Sequence, residues 1–152
     1  MKRIVYISTA RRPMMPIERD AMLRGARRRN AALDVTGLLV IGGRRYLQAL
    51  EGPEAAVANT FDRLKDDGRH FAIVTLIDRV IEHCAFPTWA MGYQEGGYAL
   101  EGAASLPAIV ADLIAPIRDE TIKAYFNGFA QQHATPGGGQ FDDRKRPGID
   151  SR

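Results

Sequence analysis

Two strand-like segments of this chain are apolar on both faces, and that narrows what it can fold into. Along residues 2–8, Ile4, Tyr6 and Ser8 point one way while Val5 and Ile7 point the other. Along residues 45–50, Tyr46, Gln48 and Leu50 oppose Leu47 and Ala49. A sheet made of such strands needs cover on both sides, because either face left bare would expose apolar surface to water. The rest of the chain must therefore supply two layers of helix.

Both layers can be traced in the sequence. Pro13 and Pro16 break the chain after the first strand, and Pro16 suits the first position of a helix, where its missing N–H costs nothing. That helix is predicted to run to about Ala32, with Met15, Met22, Ala26 and Asn30 as its inward stripe. A second strand over residues 35–41 turns at Gly42-Gly43 into the strand over 45–50. Gly52-Pro53 ends that strand, and residues 54–65 read as a helix with Val57, Phe61 and Leu64 inward, closed by Asp67-Gly68. Residues 71–77 are almost continuously apolar, the pattern of a strand buried on both faces. Phe86-Pro87 leads into a last short strand carrying Trp89 and Met91. The order β-α-β-β-α-β-β predicts an α+β, ferredoxin-like fold with a mixed sheet and both helices on one face. Residues 106–117, interrupted at Pro116, and 119–132 read as two further amphipathic helices, with Ile109, Val110, Leu113, Ile122, Tyr125, Phe126 and Phe129 apolar. They are expected on the opposite face, or paired with another subunit. Residues 134–152, with their Pro-Gly-Gly-Gly and mixed charges, are expected to be a disordered tail.

Composition excludes several classes of function. At 45% hydrophobic and 26% charged, 152 residues can bury one ordinary core. No apolar run approaches a membrane span, and Met1-Lys2-Arg3 leads into a strand rather than a signal peptide, so no membrane partner is expected. Cys84 is the single cysteine, which forbids an internal disulfide and points to a cytoplasmic setting. His70, His83 and His133 lack metal-ligand spacing, so no metal is expected. The basic runs Arg11-Arg12, Arg27-Arg28-Arg29, Arg44-Arg45 and Arg144-Lys145-Arg146 have no interleaved aromatics; they read as solvated surface, and no nucleic-acid partner is expected.

Three polar side chains stand where periodicity says inside: Tyr6, Gln48 and Asn30. Burying such a group without partners costs about 1–3 kcal/mol. Each alone is compatible with a satisfied internal network, Tyr6 on a backbone carbonyl or Asn30 as a helix C-cap. Together, between two helices on one sheet face, they favour a flat ligand with several donors and acceptors.

Five motifs then carry a resemblance. Val5-Tyr6-Ile7-Ser8, Asn30 with Val35-Thr36-Gly37-Leu38-Leu39, Tyr46-Leu47-Gln48-Ala49-Leu50-Glu51-Gly52-Pro53, Arg69-His70, and Phe86-Pro87-Thr88-Trp89-Ala90-Met91-Gly92-Tyr93 stand in the order and spacing of the BLUF domain, a family of FAD-based blue-light sensors. The chain resembles that family over residues 1–95, leaving 96–133 as a helical extension and 134–152 as the tail. The resemblance implies non-covalent FAD, with Tyr6 as the photoactive tyrosine and Gln48 as the flavin-facing glutamine. It implies that Asn30 bonds the C4=O edge of the ring. It makes Trp89 and Met91 a pair of which either lines the flavin site. Arg69 and His70 become a basic corner near the flavin and its phosphate-bearing chain, against the alternative of a plain helix-exit loop. Met22, Ser8 and Arg29 complete the expected cofactor contacts. Ser8 is equally readable as a strand-end surface residue, and Arg29 stands where family members often carry Asn or His.

The function so implied is that of a photoreceptor, not an enzyme. Light would drive electron and proton transfer from Tyr6. Rotation or tautomerisation of Gln48 would then change the hydrogen bonds to flavin N5 and C4=O, giving a red-shifted form. Output is expected through a separate effector protein in trans, with residues 89–91 and the helices after Leu106 as the candidate two-state element, in a homo-oligomer, since the chain has no room for an attached catalytic domain. The alternatives are a flavin-dependent oxidoreductase and a non-photoactive ligand-binding module. A small ferredoxin-like hydrolase fits less well, because the loop after the first strand holds two prolines and no glycine to cradle an anion.

Overall fold

The computed structural model describes residues 1–86, 91–96 and 105–133. Its elements are β1 (Lys2–Ala10), α1 (Pro16–Ala32), β2 (Thr36–Gly42), β3 (Arg45–Gly52), α2 (Glu54–Lys65), β4 (His70–Val80), β5 (Gly92–Gly96), α3 (Leu106–Ile114) and α4 (Glu120–Gln132). The strands form one sheet in the order β4-β1-β3-β2-β5. Neighbours are antiparallel except β5, which runs parallel to β2. This is the α+β, ferredoxin-like arrangement with a mixed sheet that the element order predicts.

Strand alternation sorts the core into two layers. Ile4, Tyr6, Leu39, Ile41, Tyr46 and Leu50 pack with Leu23 of α1 and Val57 and Phe61 of α2. Val5, Leu38, Val40, Leu47 and Ala49, one residue out of phase, pack with Val110 and Ile114 of α3 and with Ile122, Phe126 and Phe129 of α4. Each fully buried apolar side chain of this size contributes about 1.5–3 kcal/mol, so both helix layers are integral to the sheet.

Local chemistry explains where the elements begin and end. Pro16 opens α1, as its position predicts. The β2–β3 loop is Gly43-Arg44, one residue later than Gly42-Gly43, with Gly43 taking the positive φ of 59° that the turn requires. Asp119 caps α4 by accepting from the Thr121 and Ile122 N–H groups at 3.0 and 3.1 Å. The helix expected to reach residue 117 stops at Ile114, ahead of Pro116.

Three expectations need correction. The apolar run of residues 71–77 is not a strand buried on both faces: among the described residues β4 is an edge strand paired with β1 alone, and Phe71 and Val74 are 40% and 53% exposed. The helix layers cover the middle of the sheet and leave this edge open. Met15, assigned to the inward stripe of α1, is the exposed residue just ahead of the helix. The last strand begins at Gly92, after Met91 rather than through it. Trp89 and the tail of residues 134–152 lie outside the described residues. Among those described, no helix is long and apolar enough to cross a membrane.

Candidate functional site

A cavity of about 420 Å³ lies between the sheet and the α1–α2 layer. Its floor is set by strand register. Tyr6 of β1 stands opposite Gln48 of β3, which stands opposite Leu39 of β2, and all three line the cavity. Tyr46, two residues before Gln48 on the same face, extends the floor. One side of α1 forms a wall through Met22, Leu23, Ala26 and Arg29, and Met91 closes it from the lead-in to β5. At the mouth stand Arg63, Asp66, Asp67, Arg69 and His70 from the end of α2 and the start of β4.

Polar groups on the floor are paired in sequence. The Tyr6 hydroxyl donates to Gln48 Oε1. The Gln48 Nε2 donates to Met91 Sδ at 3.4 Å. A thioether only accepts, so the amide nitrogen belongs on the methionine side and the oxygen on the tyrosine side. Met91 is itself held by Arg27, whose Nε donates to its carbonyl at 2.9 Å. Burial, reinforced by the negative charge of Asp67 and by Tyr46, raises the pKa of the Tyr6 phenol well above its ordinary value, so it stays protonated at any physiological pH.

The mouth is fixed by charge and by a histidine. Hydrogen bonds from Arg69 hold the Asp67 carboxyl below the usual range, outweighing partial burial, and the same contact raises the Arg69 guanidinium. His70 Nε2 meets the Leu64 carbonyl and Nδ1 meets Ser8 Oγ at 2.8 Å. A carbonyl cannot donate, so Nε2 carries the proton, and in the neutral ring Nδ1 accepts from the serine.

Of the residues the sequence singled out, the structure brings Tyr6, Gln48, Met22, Arg29, Arg69, His70 and Met91 together around one cavity. Ser8 and Asn30 are buried but do not line it. Ser8 stands behind His70, and Asn30 lies one turn beyond Ala26, where its carbonyl accepts from the Leu33 and Val35 N–H groups. Trp89 lies outside the described residues. Sequence reading missed Leu39, Tyr46, Arg63, Asp66 and Asp67 as cavity residues. Alternation from Gln48 was enough to find Tyr46; Leu39 depends on the register of β2 against β3, and Arg63, Asp66 and Asp67 on how α2 exits. Arg27 and Arg29, read as solvated surface, are exposed, yet one ties α1 to Met91 and the other borders the cavity.

Behind the opposite face lies a buried ionic cluster. Glu51, fully buried, accepts from Arg3 at 3.0 and 3.1 Å and from the Ala85 and Phe86 N–H groups at 2.9–3.0 Å. Arg3 also reaches Asp119, the cap of α4, at 2.7 Å. Arg3 and Glu51 are direct cross-strand partners on β1 and β3.

The cavity suits a flat aromatic ring with a polar edge: apolar walls, an amide and a phenol on the floor, and cations at the mouth. Comparison with known proteins bears on which ring. A family model described as BLUF, sensors of blue-light using FAD, matches residues 1–92. Photoactivated adenylate cyclase subunit beta of Euglena longa is 38% identical over 89 residues, 58% of this chain and 10% of that protein. The blue light- and temperature-regulated antirepressor BluF of Escherichia coli strain K12 is 40% identical over 76 residues, 49% of this chain and 18% of that protein. The chain thus spans a small part of the length of the curated relatives it matches. Among solved structures, BlrB, a BLUF protein in its dark state, superimposes with a TM-score of 0.65 at 24% identity, covering 86% of this chain and 96% of that one. A bacterial light-regulated adenylyl cyclase gives 0.63 at 26% identity, covering 87% and 34%.

Proposed function

The chain belongs to the BLUF family of blue-light sensors that use FAD, and from that premise we propose that Tyr6 and Gln48 form its light-driven switch. The observation that carries this reading is the buried hydrogen bond from the Tyr6 hydroxyl to Gln48 Oε1 on the cavity floor, with Met91 at the other end of the amide. FAD supplies the blue-light absorption and, once excited, a strong oxidant. The protein supplies orientation and an oxidisable group whose hydroxyl already has an acceptor for its proton.

Tyr6 is that group. It is held neutral, so losing an electron makes its hydroxyl strongly acidic, and the proton moves along the bond it already makes, to Gln48 Oε1. Gln48 then holds a donor where it held an acceptor. An amide that rotates or tautomerises presents donor and acceptor ends exchanged, and the bonds it makes within the cavity change with no covalent bond to the ligand. Arg29, Arg69, His70 and Met22, which line the cavity, are the further cofactor contacts of this reading; Ser8 acts through His70, and Asn30, set back from the cavity, has only the place the family motif gives it. Trp89 keeps the place the family motif gives it.

Output passes to a separate effector protein, with a homo-oligomer as the working form. Relatives named for an adenylate cyclase and for an antirepressor support a sensor that serves more than one kind of output. The surface that presents the signal is the α3–α4 layer, packed on the sheet face opposite the cavity.

The test is a pair of variants. Tyr6→Phe and Gln48→Leu should each retain FAD and each lose the reversible red shift under blue light. A variant that cycles like the parent chain removes its residue from the switch. A yellow protein with no shift in the parent chain would instead favour a flavin-dependent oxidoreductase.

A further inference from the structure

The α3–α4 layer does not cover the whole of its sheet face. Between α4 and strands β1, β3 and β4 lies a groove of about 210 Å³, with Ile7, Leu47 and Leu76 on the sheet side and Tyr125, Gly128 and Phe129 on the helix side. Ile7 and Leu76 are only half-buried, and a β-carbon on Gly128 would meet no described atom within 4 Å. The groove is apolar and unfilled by the described residues. We propose that it receives Phe141, so that the chain's own C-terminal segment straps the sheet face opposite the Tyr6–Gln48 cavity.

The groove has the size of one aromatic side chain. At about 210 Å³ it falls below the range of about 300–1,000 Å³ for small-molecule sites, whereas about 150 Å³ of apolar cavity holds a benzene ring. Phe141 is the one aromatic residue in the stretch 134–152. Burying its ring against Ile7, Leu76 and Tyr125 removes apolar surface from water on both sides of the contact.

Phe141 is also within reach. The helix lines the groove from Ala124 to Gln132, about 12 Å of its length, so the chain leaves α4 at the groove's end. Phe141 stands eight residues beyond His133, a span of up to about 26 Å when extended. The return needs a reversal of the chain, and Gly137-Gly138-Gly139, without β-carbons, permits one.

Charge sets the direction of approach. Thr9, two residues after Ile7 on β1, stands opposite Arg45 of β3 and Phe71 of β4, so these side chains share the groove's face. Arg45 is exposed there, close enough to His133 to act on its charge, and the Arg11 guanidinium lies 5.2 Å from the centre of the Phe71 ring. Asp142 and Asp143 follow Phe141 directly and bring two carboxylates to these arginines. Exposed pairs of this kind orient a contact more than they strengthen it; the ring supplies the affinity. Ile7 follows Tyr6 and Leu47 precedes Gln48, so the strap lies on the reverse of the two strands that carry that pair. An effector that reads this end of the α3–α4 layer has to displace it.

The test is paramagnetic broadening of amide signals in the isotope-labelled full chain. In a Cys84→Ser background, which removes the one native thiol, Gln140→Cys carries a nitroxide beside Phe141. The Ile7 and Leu76 signals should be lost, and should return when Phe141→Ser is added. They should also return in Gly128→Leu, whose side chain grows into the groove. No broadening at Ile7 and Leu76, or equal broadening with and without Phe141→Ser, would overturn the proposal. The labelled chain is then diluted with an excess of unlabelled, nitroxide-free chain. Broadening that persists comes from the chain's own strap; broadening that fades means the groove takes Phe141 from a second copy, which refutes it. Should Gly128→Leu fail to fold, the Phe141→Ser comparison decides alone.

Discussion

Gln48 is held at both ends of its amide, by a phenol that can give up an electron and by a sulfur that accepts only weakly. The strong partner sets the orientation and the weak one lets it change. Met91→Leu would keep the packing and remove the acceptor, so the resting orientation loses support. Recovery in the dark, followed by absorbance after a light pulse, should slow a few-fold while the size of the shift is kept; an unchanged rate would mean that the thioether does not hold the amide. At this scale much was legible in the sequence. Tyr6 and Gln48 are polar residues at positions that alternation turns inward, and such residues need partners. Glu51 was not legible as a buried group. Alternation places it beside Leu47 and Ala49, but a carboxylate usually overrides the pattern and goes to water. Only the pairing of β1 with β3, which sets Arg3 opposite, makes its burial tolerable.

Glu51 joins elements as well as charges: β3, β1 through Arg3, α4 through Asp119, and the segment ahead of Met91 through the Ala85 and Phe86 N–H groups. Glu51→Ala would leave the Arg3 guanidinium with Asp119 alone and strand both amides, and should cost about 3–5 kcal/mol in urea unfolding; a loss below 1 kcal/mol would mean water replaces the carboxylate. The far end of α4 carries a pH dependence. His133 lies against Phe129 with ring centres 4.5 Å apart and planes tilted by 44°, and packs on Gly42, where a β-carbon would come within 2.2 Å of its own. Burial first, then the charge of Arg45, lowers its pKa from the ordinary value of 6.5. A depressed basic group contributes stability that is complete above the unfolded-state value and is lost as pH falls toward the folded one. Hydrogen exchange in the last turn of α4 should therefore speed up as pH drops from about 7.5 to about 5, after correction for intrinsic rates, and not in His133→Phe. Equal acceleration in both would place the effect elsewhere. Among elements, β4 was misread as doubly buried, and the last strand was placed ahead of its start at Gly92. A continuous apolar run marks a strand in a covered sheet, yet whether the strand is central or at the edge depends on which neighbours pair with it, and sequence pattern does not carry that.

Across the whole molecule the sheet is a partition, with the cavity on the α1–α2 side and the α3–α4 layer on the other. Alternation made this visible from the strands alone, since both faces of β1 and β3 are apolar. The cavity mouth was less visible, because Arg63, Asp66 and Asp67 reach it through the geometry of the α2–β4 connection. A change at Gln48 has two short routes across the partition: through β3 itself to Leu47 and Ala49, and through Met91 to the segment that Glu51 anchors. Either would shift the population of an existing α3–α4 arrangement rather than create a new one. All of this depends on light acting through hydrogen bonds at the cavity floor. The direct measurement is the visible absorption spectrum of the purified, FAD-loaded chain, in the dark, under blue light and in the dark again. A switch made of Tyr6 and Gln48 gives bands that move to longer wavelength under light and return unaided. Bands that stay in place, or that bleach and do not return, would contradict it.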